Sequence, residues 1–140
     1  MTPRVLLDTN VVLDVLLARD PWLNDSRAVW EAVDQGRLEA YLLASVLTDI
    51  YYVARRLSTR KRARQALQVC LDAFAIAAIG RDVLERALAL SGSDYEDDVL
   101  IACAETLGLD GIVTRDTARF RAASLGVWTP RECLDRLPGH

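Results

Sequence analysis

Short apolar runs that end at an acidic or hydroxyl residue alternate along the chain with longer stretches of helical spacing. Arg4–Asp8 reads as a first strand and leads into an apolar helix through Leu17. Pro21 restarts the chain, and Trp22–Gln35 carries Leu23, Ala28, Val29 and Val33 at helical intervals before Gly36 stops it. Glu39–Leu43 predicts a second strand, with Ser45 as N-cap of a helix bearing Asp49, Tyr52 and Val53. Arg60–Ala73 predicts a helix with Ala63, Leu67, Cys70 and Leu71 on its apolar side. Phe74–Ile79 predicts a third strand, ended by Gly80, and Asp82–Leu90 a further helix. Ser93-Asp94-Tyr95-Glu96 matches a capping box for a helix running to Leu107 and closed by Gly108. Gly111–Thr114 predicts strand four, Ala118–Ala123 a short helix and Val127-Trp128 a fifth strand. Thr129-Pro130-Arg131-Glu132 opens a last helix with cap, N1 proline and N3 glutamate. Alternating strands and helices predict βαβ units and a parallel sheet covered on both faces, in one domain spanning residues 1–140.

Composition narrows this picture. At 140 residues and 51% hydrophobic, the chain is long and apolar enough to bury a real core. No apolar stretch reaches the roughly 20 residues of a membrane helix, and the N-terminus meets Asp8 too soon for a signal peptide. A soluble cytoplasmic protein is expected, without contact to a membrane. Cys70, Cys103 and Cys133 are odd in number and lack Cys-x-x-Cys spacing, which argues for buried reduced thiols over a disulfide framework or zinc site. The single histidine is the terminal His140, so histidine triads, histidine-ligated zinc and histidine general bases are set aside. Catalysis here must run on carboxylates, hydroxyls or a metal.

Four short acidic segments, Asp8-Thr9-Asn10, Asp49, Asp94–Asp98 and Asp116, are spaced along almost the whole chain. Asp8 follows an apolar strand directly, where an unpaired carboxylate has no structural use; it serves a site or caps the next helix. Asn10 is placed to orient it. Asp116 reads equally as a site acid or as the cap before Thr117-Ala118-Arg119-Phe120. Asp94, Asp97 and Asp98 share one face of a first turn. The helix dipole accounts for one or two acids there but not for three crowded together. Glu96 is assigned to the capping box, and Asp49 sits among apolar neighbours as a site acid or a helix-edge residue.

In open α/β sheets, ligands bind outside the carboxyl ends of the strands. Carboxylates that converge there repel unless a divalent cation holds them. Hard oxygen donors without histidine or thiolate select Mg²⁺ or Mn²⁺, which suit attack of an activated water on a phosphodiester. No glycine-rich phosphate loop is present, which argues against nucleoside triphosphates. The net charge of −3 by itself disfavours a polyanionic substrate. Yet Ile50–Leu71 contains no acid and holds Arg55, Arg56, Arg60, Lys61, Arg62 and Arg64. That block is a phosphate-contacting face, a solvated helix surface or a partner patch.

Leu6-Leu7-Asp8-Thr9-Asn10, Asp49, Asp97 before Val99–Ala104, and Ile112-Val113-Thr114-Arg115-Asp116 together resemble the PIN domain pattern in order and spacing over essentially the whole chain. The resemblance implies a Rossmann-like three-layer α/β/α sandwich with a central parallel sheet and a metal-dependent ribonuclease. The resemblance is to a stand-alone PIN domain, and many of these are VapC-type toxins, which a small antitoxin holds inactive and which are often dimeric. It assigns Asp8, Asp49, Asp97 and Asp116 as the acidic quartet, with Asp8, Asp97 and Asp116 as metal ligands. Thr9, Asn10, Thr114, Asp94 and Asp98 would support them. The second acidic position is more often Glu in the family; Asp49 is one methylene shorter, so a water-bridged contact is expected. Arg55, Arg56, Arg60, Lys61 and Arg62 would meet RNA phosphates. Tyr51 and Tyr52 are expected to pack in the core rather than to stack on a base.

Two other classes are separable. A non-catalytic PIN-like module binding RNA or protein would keep metal binding without cleavage. A phosphoacceptor or haloacid-dehalogenase-like domain built on Asp8 would want Asp at position 10, where Asn10 stands, or a lysine after a late strand, whereas the only lysine is Lys61.

Overall fold

In the computed structural model, residues 2–138 are described; His140 lies outside them. Five strands, β1 (Arg4–Leu7), β2 (Glu39–Leu43), β3 (Ala75–Ala77), β4 (Gly111–Val113) and β5 (Gly126–Trp128), form one all-parallel sheet in the order β3-β2-β1-β4-β5. The helices are α1 (Thr9–Leu16), α2 (Leu23–Asp34), α3 (Ala44–Leu57), α4 (Arg60–Ala73), α5 (Arg81–Leu90), α6 (Tyr95–Thr106) and α7 (Pro130–Asp135), with a 3₁₀ turn at Thr117–Phe120. Their mutual contacts divide into two groups. One joins α1 to α2 and α3, α2 to α7 and α3 to α4; the other joins α5, α6 and the 3₁₀ turn. Right-handed crossovers place such groups on opposite faces of a sheet, giving the three-layer α/β/α sandwich with a central parallel sheet. Val5, Leu6, Ile112 and Val113 are fully buried at its centre, the continuous apolar signature of strands covered on both sides.

Strand order decides where a site forms. From β1 the chain travels outward to β2 and β3, then returns across the sheet to β4 on the other side of β1. The connections therefore diverge between β1 and β4, and a crevice opens at the carboxyl ends of these two strands.

α6 is unlike the other helices: Asp97 through Ala104 are all buried. A helix covered all round is packed into the core, and Asp97, in its first turn, is the first of these buried residues. Gly108 ends it at φ +65, a left-handed conformation suited to glycine, with the Leu109 amide donating to the Ala104 carbonyl.

Several local expectations are corrected. Leu43, not Ser45, is the N-cap of α3 and uses no side chain, because β2 runs straight into the helix without a loop. Asp94, not Ser93, caps α6, its carboxylate accepting from the Asp97 amide at 3.2 Å; the predicted box fails because the helix begins one residue later. β3 covers only Ala75–Ala77, since Phe74 terminates α4 and turns its ring edge-on to Trp30 at 4.7 Å. Thr117–Phe120 is a single 3₁₀ turn rather than a helix over 118–123. The Thr129 and Glu132 capping box on α7 forms as predicted, with both reciprocal bonds present. Tyr52 is 64% exposed and Tyr51 half-buried, so tyrosine packing in the core is overturned. Among the described residues no helix is long and apolar enough to cross a membrane. The three cysteines are buried and unpaired; burial pushes the Cys70 and Cys133 thiols up to about 11, which leaves them without thiolate character at neutral pH.

Candidate active site

β1 ends at Asp8, which is 3% exposed and plays both roles open to it. Its backbone caps α1 in extended geometry, and one carboxylate oxygen accepts from the Thr9 amide at 2.8 Å. The other oxygen accepts from the Thr114 hydroxyl at 2.8 Å, the Asn10 side-chain amide at 3.1 Å and Arg119 Nη1 at 2.8 Å. Thr114, fully buried at the end of β4, donates to Asp8 and accepts from the Asp116 amide at 3.1 Å. Asn10 reaches the same loop, where its side-chain oxygen faces the Arg115 amide at 3.4 Å. Thus β1 and β4 are joined at their carboxyl ends through side chains as well as through the sheet. Four donors therefore converge on one carboxylate and fix its orientation.

Asp97 enters from the first turn of α6. Its two oxygens meet Arg119 Nη2 at 2.5 Å and Nε at 3.3 Å, so one guanidinium bridges Asp97 and Asp8. The hydrogen bond to Asp97, followed by the charges of Asp8 and Asp97, raises the Arg119 pKa above its ordinary value against the opposing effect of burial. These residues line a cavity of about 260 Å³, together with Thr9, Asp49, Glu96 and an apolar wall that includes Ile79 and Leu84.

The acids predicted for the site separate here. Asp8 and Asp97 face each other across Arg119, and Asp49 contributes to the same cavity from the second turn of α3, exposed to solvent. Asp116 is exposed; its amide is tied to Thr114, but its side chain does not line the cavity. Asp94 serves as helix cap, and Asp98 turns away to accept from the Gly92 amide at 2.9 Å. Asp94, Asp97 and Asp98 therefore do not act on one face. Glu96, assigned by its sequence to the capping box, lines the cavity instead. Arg55, Arg56, Arg60, Lys61 and Arg62 are exposed where α3 hands over to α4, outside the cavity, and none is in a salt bridge among the described residues.

Two residues carry weight that their local sequence did not signal. Arg119 looked like one polar position of a short helix. Asp14, inside the apolar helix α1, is completely buried; its oxygens lie 3.3 Å from Arg19 Nε and 2.8 Å from Arg115 Nε. These contacts are ion pairs rather than aligned hydrogen bonds. Arg115, stacked over Trp22 at 3.8 Å, ties the loop between Thr114 and Asp116 back to α1. An acid at helical spacing on an apolar face was the available signal for Asp14.

The donor set is of the chemical kind that a divalent ion takes. Two buried carboxylates already meet one positive charge, and both offer only hard oxygen atoms. Among the described residues no three acidic, thiol or imidazole groups gather at one point. The protein would thus supply Asp8 and Asp97, and water and substrate phosphate the remaining ligands, the arrangement Mg²⁺ favours.

The chain belongs to the PIN domain family, which matches residues 4–118. No curated protein matches it. Among solved structures, a toxin–antitoxin complex from Klebsiella pneumoniae is 25% identical with a TM-score of 0.68, over 90% of this chain and 97% of that one. DNA-bound VapBC from Salmonella typhimurium is 15% identical with a TM-score of 0.72, over 93% and 99%. VapC20 of Mycobacterium tuberculosis, a toxin that cleaves the sarcin–ricin loop, is 14% identical with a TM-score of 0.63, over 77% and 86%. The VapC-like fold expected from the sequence is the fold observed.

Proposed function

We propose that this PIN domain is an endoribonuclease that depends on Mg²⁺ or Mn²⁺ and acts as the toxin of a cytoplasmic toxin–antitoxin pair. The observation that carries the reading is the pair Asp8 and Asp97, presented together at the β1/β4 switch point. Asp8 and Asp97 would hold the ion, which supplies charge neutralisation and an activated water for attack on a phosphodiester. Thr9, Asn10 and Thr114 keep the Asp8 carboxylate aimed. Asp49 at the cavity wall would act through water, and Asp116 from the rim. Asp94 and Asp98 support the site only by fixing the start of α6, on which Asp97 rides. The exposed Arg55, Arg56, Arg60, Lys61 and Arg62 would contact RNA phosphates beyond the cavity. The partners that fit this reading are RNA, a small antitoxin and a second copy of the chain; the toxin–antitoxin character of its fold relatives supports the antitoxin.

Cleavage of a structured RNA by the purified protein tests the proposal, with Mn²⁺ or Mg²⁺ compared against chelator. An Asp97→Asn variant purified identically guards against contaminating ribonuclease. Metal-dependent cleavage lost in the variant is expected. Metal binding without cleavage of any RNA would instead support a binding module, and equal cleavage by both proteins would remove the case for the site.

A further inference from the structure

We infer that Arg119 is the site's own counter-ion, competing with the divalent cation for Asp8 and Asp97 and so setting how tightly the metal binds. This rests on the nuclease reading above. The guanidinium spans the two carboxylates, with Nη1 2.8 Å from Asp8 and Nη2 2.5 Å from Asp97. A cation shared by those same oxygens must occupy the space that Arg119 fills. The charge count favours exchange: Asp8 and Asp97 against one guanidinium leave a formal −1 that a divalent ion would neutralise, and Asp49 and Glu96 add further acids to the same cavity. A like charge held at that distance would also oppose metal entry, so one cation must leave for the other to bind.

The chain is built to let the arginine go. Its side chain is 35% exposed, against 4% and 12% for the Asp8 and Asp97 side chains, so it reaches the acids from the solvent side. It extends from a 3₁₀ turn of four residues held by the neighbouring Phe120, which is fully buried. Withdrawal of Arg119 therefore requires rotation of one side chain and no movement of the anchor. Asn10, Thr114 and the Thr9 amide remain on Asp8 when Arg119 departs, so the carboxylate stays aimed. The same pairing lets the metal-free protein fold with two facing carboxylates that would otherwise repel.

The test is Mn²⁺ binding to the full chain without RNA, followed by electron paramagnetic resonance of free Mn²⁺ and by calorimetry, for wild type, Arg119→Met and Arg119→Lys. Thermal unfolding is measured in chelator and in Mn²⁺. Arg119→Met should bind Mn²⁺ at least tenfold more tightly, unfold at lower temperature in chelator and gain more from Mn²⁺ than wild type. Arg119→Lys, whose single ammonium cannot span both acids as a fork does, should fall between. Equal Mn²⁺ affinity in wild type and Arg119→Met would overturn the inference, as would weaker binding in the variant. Arg119→Gln replaces the methionine variant should the latter not fold. If neither wild type nor Arg119→Met binds Mn²⁺ and Asp97→Asn changes nothing, the metal-nuclease reading falls, and this inference with it.

Discussion

Replacing Thr114 with valine removes one hydroxyl and almost no volume, at the point where the two central strands are tied together. The hydroxyl donates to Asp8 at 2.8 Å and accepts from the Asp116 amide at 3.1 Å, in a residue with no exposed surface. A hydrogen bond to a charged group contributes about 1.5–3 kcal/mol. Asp8 keeps the Thr9 amide, Asn10 and Arg119 after the substitution, and the amide of exposed Asp116 can turn to water. Both facts place the loss in the lower part of that range, about 2 kcal/mol. With a urea dependence of about 2 kcal/mol per molar, the midpoint should fall by about 1 M. The assay is urea unfolding in chelator, so that metal binding adds nothing, in both the wild-type and Asp8→Asn backgrounds. Against a neutral partner the bond is worth only about 0.5–1.5 kcal/mol, so Thr114→Val should cost about 1 kcal/mol less in the Asp8→Asn protein. A loss under about 0.5 kcal/mol, or the same loss in both backgrounds, would refute the account of Thr114 as the donor that stabilises the Asp8 carboxylate.

Two further substitutions test parts of the fold that the site depends on. Burial raises the Asp14 pKa above its ordinary 3.8 in spite of Arg115 and Arg19. A carboxyl whose folded pKa is raised stabilises the fold while protonated, at pH below about 4, and loses that contribution as pH rises through the folded value. Asp14→Asn should therefore leave stability at pH 7 unchanged or higher, with its advantage over wild type shrinking toward pH 4; a loss of about 3–5 kcal/mol, as for a broken buried ion pair, would contradict this. A Cβ at Gly111 would stand 2.4 Å from the Trp128 ring, which also lies against Gly126 on the paired strand. Gly111→Ala should cost about 1–3 kcal/mol by overpacking and shift the tryptophan emission; full stability with an unchanged spectrum would show that the indole can move aside freely.

Where the local pattern governs structure, it was legible in the chain. Apolar runs ended by Asp8 and by Thr114 are strands because burial on both faces demands continuous apolar residues, and their carboxyl ends are where a parallel sheet presents ligands. The α7 capping box also follows from residues three apart on one segment. Other features depend on how separate segments meet. Arg119 reaches Asp8 across 111 positions and Asp97 across 22, and nothing near it in the chain marks that meeting. Asp97 and Asp98 are adjacent and chemically identical, yet α6 packing aims one into the cavity and the other at Gly92. The sequence resemblance assigns Asp116 to the site, but the turn after β4 leaves this residue exposed. Asp14 pairs with nearby Arg19, but its shorter ion pair is with Arg115, about a hundred positions along the chain, which folds over α1. Backbone patterning is set within a few residues by sterics and burial, whereas the direction of a charged side chain is set by whichever charge the packed sandwich brings within a few ångströms of it.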